Sequence, residues 1–172
     1  MKIRNKLLAA MTALVATAFL YVGCTPEQVN IVAQQAGMAS VVVWISVDNP
    51  TVNQKVSVIS TIQFIKNNAT QAIPETTYYV ALSPVVNSYI TQHVSPQSQP
   101  MAMLASGWVL TGIDTFFAMY PDYASNSATA TKVVSSFCDG AIAGLSLTND
   151  SLVLEAAMQG AKKRAQVRKA IL

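Results

Sequence analysis

From Val29 to Ala165 apolar residues recur three and four positions apart, and no comparable stretch alternates apolar with polar. That period of about 3.6 residues predicts packed helices with one apolar face each. Proline and asparagine punctuate the pattern into segments of domain-helix length. Thr25-Pro26-Glu27-Gln28 reads as a helix start: Thr25 can cap, Pro26 suits the first turn, and Gln28 can complete a capping box. The apolar stripe that follows runs through Val29, Val32, Ala33, Ala36, Val43 and Val47 until Asp48-Asn49-Pro50 ends it. The run Val41-Val42-Val43 is β-branched but continues the helical register.

A second helix is expected over 50–67, with Val52, Val56, Ile59, Ile62 or Gln63, and Lys66 on one side, closed by a turn at Asn67-Asn68-Ala69-Thr70. The third segment, 74–93, carries Pro84 inside it, which predicts a kink or two short helices meeting near Ser83. Ser95-Pro96-Gln97-Ser98-Gln99-Pro100 is the clearest loop. Beyond it, 101–120 is the most apolar part of the domain. Its length suits a bilayer, but Asp114 lies well inside it, and a carboxylate is expensive in lipid. A central core helix is the expected outcome. A fifth helix over 127–145 contains Gly140 and Gly144, four apart, as close helix packing requires. A last one, capped by Asn149 or Asp150, shows Leu154, Ala157, Ala161 and Ala165 on one side and ends in Lys162, Lys163, Arg164, Arg168 and Lys169. The predicted fold is all-α: a single irregular or up-and-down bundle of about six helices.

Charge separates the chain into zones. Lys2, Arg4 and Lys6 account for the whole formal excess of +3, since the remaining eight basic groups balance the eight acidic ones. Five of those eight basic groups sit in 162–172, leaving a mildly acidic body and a basic end. Only 11% of residues are charged, well below the ~25% of ordinary soluble domains. Ser, Thr, Asn and Gln supply the polar faces instead, an arrangement that argues against a polyanion-binding body.

The first 23 residues have the parts of an export signal: the positive n-region of Lys2, Arg4 and Lys6, an apolar run from Leu7 to Leu20, and small or apolar residues before Cys24. Tyr21-Val22-Gly23-Cys24 resembles the lipobox of bacterial lipoproteins, of cellular or phage origin, with Tyr21 where that family usually has Leu. The resemblance implies cleavage before Cys24, its acylation (palmitate among the acyl groups), and a mature domain over 24–172 tethered to the cell envelope, facing the periplasm or exterior. Two other outcomes stay open. Ordinary signal-peptide cleavage could fall near Ala16 to Ala18, or the leader could remain as a membrane anchor. Acylation of Cys24 would leave Cys138 as the one thiol of the mature chain, whereas a free Cys24 could pair with it.

No pattern in the chain carries catalysis. His93 is the single histidine and has no second His or Cys pair at metal-ligand spacing. Cys138 is followed by Asp139, whose charge opposes thiolate formation. The acidic residues are scattered singly, and neither a phosphate-binding glycine loop nor a nucleophile elbow appears. The expectation is a protein without catalytic, cofactor-binding or metal residues and without a cofactor, acting as an interaction or structural module. Its partners would be the membrane, reached through an N-terminal lipid or leader helix, and another envelope protein. Lys162, Lys163, Arg164, Arg168 and Lys169 could add contact with an anionic membrane surface; nucleic acid is not expected in that compartment. The alternative is a membrane-active or lysis-related helical protein of phage or mobile-element origin, anchored by an uncleaved leader.

Overall fold

A computed structural model describes residues 25–69, 77–124 and 127–146, and within them the chain is helical with no strand. Six helices follow one another: α1 (Pro26–Asp48), α2 (Val52–Ala69), α3 (Tyr78–His93), α4 (Gln99–Met119), the single turn α5 (Pro121–Ala124) and α6 (Ser127–Ser146). The last helix expected from the sequence lies outside the described residues, and the single turn α5 follows the end of α4 at once.

The ends of α1 form as their sequences dictate. Thr25 N donates to Gln28 Oε1 at 2.8 Å while Gln28 N donates to Thr25 Oγ1 at 3.4 Å, a complete capping box. At the far end Asn49 adopts φ 43° and its N–H bonds Ile45 O, the left-handed cap that asparagine tolerates. A second box, reciprocal between Thr51 and Gln54, starts α2.

Three boundary expectations are corrected. The helix α2 runs on to Ala69 instead of turning at Asn67, because Ala69 is buried and Asn68 Nδ2 bonds back to Phe64 O at 2.8 Å. Its buried face holds Val58, Ile59, Ile62, Ile65 and Ala69, rotated from the expected stripe because α2 packs on α3, α4 and α6 at once. Finally, α3 begins at Tyr78, where Thr77 caps it, and passes through Pro84 as one continuous helix. Pro84 and Val80 are both exposed, so the carbonyl that loses its helical partner faces water.

The bundle is irregular, not up-and-down. The consecutive helices α1 and α2 make no packing contact with each other; α6 pairs most extensively with α1 and also touches α2. Two glycines set the α1–α6 distance. A Cβ on Gly140 would overlap the carbonyl of Gln34, and one on Gly37 would overlap the carbonyl of Phe137. Gly144 in turn meets Met38. Gln34 faces Gly140 and Met38 faces Gly144, so the two helices run parallel with their backbones in contact. The core between the helices is filled by Phe116, Phe137, Ile59, Ile62, Ile90, Leu110 and Ile113, all but fully buried.

Candidate functional site

Helix α4 has two apolar sides, and the other described helices bury only one of them. Its inner side, with Ala102, Ala105, Val109, Leu110, Ile113 and Phe116, is buried in the core. On the other side Leu104, Trp108, Thr111, Thr115 and Met119 follow at steps of four, three, four and four residues, which places them on one helical stripe. Leu104 and Trp108 remain 44% and 45% exposed. This stripe is one wall of a groove of about 610 Å³. Ala36, Ala39 and Ser40 of α1 line it opposite, Phe137 of α6 and Gly112 contribute to its floor, and Tyr79 borders it from the start of α3.

No charged side chain lines the groove. Ser40 Oγ donates to Gly37 O at 2.7 Å and Thr115 Oγ1 donates to Thr111 O at 2.8 Å, so these hydroxyls are engaged within their own helices. Small residues line the α1 side, where Ala36 and Ala39 leave room that larger side chains would fill. Apolar concavities on folded domains are surfaces whose covering by an apolar body is favourable.

Asp114 shapes one end of the site. Its carboxylate accepts Tyr78 N at 2.6 Å and Tyr79 N at 2.9 Å, capping α3 from a neighbouring helix. The acid that interrupts the apolar run is thus consumed in joining α3 to α4, and it holds Tyr79 where that residue borders the groove. Burial, and secondarily the Asp114 charge, pushes the Tyr78 hydroxyl above its ordinary pKa.

The remaining residues singled out by sequence stand apart from the groove. His93 is exposed at the end of α3, its ring 4.8 Å from that of Tyr89. Cys138 is free and fully buried on α6, its thiol pushed up to about 12, first by burial and then by the charge of Asp139. Such a thiol stays protonated at neutral pH and is a poor nucleophile. Among the described residues no three of His, Cys, Asp and Glu converge on a metal-sized site. Cys24, Lys162, Lys163, Arg164, Arg168 and Lys169 lie outside the described residues. Sequence reasoning missed the groove. Its signal was present as Leu104, Trp108 and Met119, which extend the apolar character of α4 beyond the arc needed for one buried face.

No protein-family model, curated protein or solved structure matches the chain.

Proposed function

We propose that the chain is an envelope lipoprotein: Cys24 is acylated and tethers a non-enzymatic helical domain that acts through its apolar groove as an interaction or structural module. The observation that carries this reading is the uncharged groove along α4, an apolar surface that gains by being covered. The placement of Thr25 supports the tether. The capping box opens α1 one residue after Cys24, so the domain would begin at the lipid with no spacer. The surface facing the periplasm or exterior would then meet another envelope protein, with the basic residues Lys162, Lys163, Arg164, Arg168 and Lys169 adding attraction to anionic lipid headgroups.

A second reading draws on one feature of α4. Among the described residues it alone is long and apolar enough to cross a membrane. In that reading the protein is membrane-active, of phage or mobile-element origin, with its leader retained. The buried inner side of α4 and the capping bonds from Asp114 to α3 weigh against release of this helix into lipid.

Intact-mass analysis and palmitate labelling of the wild-type chain and of Cys24→Ala separate these readings. A tethered lipoprotein has a mature N-terminus at Cys24 carrying acyl groups, and Cys24→Ala loses the label. An unmodified chain of full length that still fractionates with membranes would reject the lipoprotein and favour the retained leader.

A further inference from the structure

The dimensions of the groove limit what can fill it. Its lining residues on α4 run from Met103 to Met119, ~24 Å at 1.5 Å per residue, so a volume of about 610 Å³ spread over that length leaves a cross-section of ~25 Å². An α-helix with its side chains is ~10 Å or more across, ~80 Å² in section, and is too thick to sink between these walls. A hydrocarbon chain has the right calibre, since carbon atoms in contact stand ~4 Å apart and an extended chain is on the order of 20 Å² in section. Length agrees with width: at ~1.2 Å per bond an extended chain of ~20 carbons spans the groove. The volume is also about four times the ~150 Å³ of a cavity that holds the six carbons of benzene, which gives room for ~24 carbons.

The walls suit a hydrocarbon chemically as well. Ala36, Ala39, Leu104, Trp108 and Met119 present aliphatic, aromatic and thioether surface, and no charged side chain stands among the lining residues. The hydroxyls of Ser40 and Thr115 are already bonded to carbonyls of their own helices. The groove is therefore complementary to a ligand that carries neither charge nor hydrogen-bonding groups along its length. A second copy of the chain is a poorer match. Leu104, Trp108 and Met119 are only 44%, 45% and 37% exposed, so they offer far less apolar area than the ~800 Å² that each partner of a stable dimer buries.

We propose that the groove binds one acyl chain of a separate lipid molecule, ~16–20 carbons long, laid along α4 with its headgroup left in water. The proposal rests on the reading of the groove as the working surface of the domain and gives that surface its ligand.

Photolabelling of the full-length chain in phosphatidylcholine vesicles tests this, with palmitic acid carrying a diazirine near its methyl end as the probe. Digestion should place saturable adducts on both walls, in peptides covering 36–40 and 103–119. Ala39→Phe puts a ring where several methylenes would lie, each worth about fourfold in affinity when buried, and should lower the label about tenfold or more. Ile31→Phe, at an exposed position of α1 outside the groove, should label like wild type. Adducts on α4 alone that Ala39→Phe does not diminish would mean a helix bathed in the bilayer, and adducts spread equally over the exposed Val80 and Val85 of α3 would mean unspecific contact; either overturns the proposal. Label that appears only in Cys24→Ala would put the protein's own acyl group in the groove and overturn the separate ligand. Groove peptides without label in either chain would reject an acyl ligand, while the tethered module would still be judged by the mass and acylation of Cys24. The wild-type adduct pattern is decisive by itself, so the outcome does not depend on the folding of Ala39→Phe.

Discussion

Asp114 is the side chain on which the geometry of α3 turns. Its two oxygens take the N–H groups of Tyr78 and Tyr79, which as first-turn donors have no helical acceptor of their own. Replacing Asp114 with Ala strands both donors, one of them on the buried residue Tyr78, and should cost about 1–3 kcal/mol. Asp114→Asn keeps one acceptor oxygen and should cost less. Urea unfolding followed by circular dichroism ranks wild type, Asn and Ala in that order of decreasing stability; an Ala variant as stable as wild type would refute the capping role. The sequence marks Asp114 as anomalous, a carboxylate inside the most apolar helix. It does not name the partners, because they lie about 35 residues earlier, in the first turn of a different helix. Lys66 and Asp139 make another long-range polar contact, at 2.6 Å, but their side chains are 32% and 49% exposed, so their pairing contributes little.

At the scale of elements, glycine spacing decides how α1 and α6 meet. Gly140→Ala and Gly37→Ala each drive a methyl into a backbone carbonyl, which cannot rotate aside as a side chain would. Each should destabilise by about 1–3 kcal/mol or more, the range of overpacked cores. Gly107→Ala is the control. Its Cβ would meet only the Tyr79 ring, at an ordinary 3.8 Å, and the gain in helix propensity should stabilise by about 0.5–1 kcal/mol. Thermal melts should therefore place Gly107→Ala above wild type and the other two below it, and equal losses at all three sites would contradict backbone contact between α1 and α6. The four-residue spacing of Gly140 and Gly144 is legible in the sequence as close packing, whereas Gly37 on the partner helix carries no such repeat. Pro84 and the Asn67-Asn68 pair mislead in the opposite direction. Their local preference for a break yields to tertiary packing, which buries Ala69 and leaves the proline on the solvent side of α3.

For the whole molecule, burial of ionisable groups links stability to alkaline pH. Cys138 is raised from 9.0 to about 12 by burial first, and Tyr78 is raised in the same direction. The folded state therefore holds protons that the unfolded state releases, so the stabilisation is complete below pH 9.0 and is lost as pH rises toward 12. Unfolding free energies measured between those limits should fall with pH, and the slope should be shallower in Cys138→Ala even though that variant starts less stable; identical slopes would remove Cys138 as a cause. By itself the sequence determines the helical class, the capped start of α1 at Thr25 and the helical spans of α4 and α6, because the spacing of apolar residues and the capping side chains act within a few residues of one another. Only the tertiary structure decides that α6 returns parallel to α1, that Asp114 serves α3, and that the other described helices leave one side of α4 as the wall of a groove. Those outcomes depend on which surfaces meet, and residues far apart in sequence set that through volume, backbone approach and burial, for which a linear pattern holds no distance.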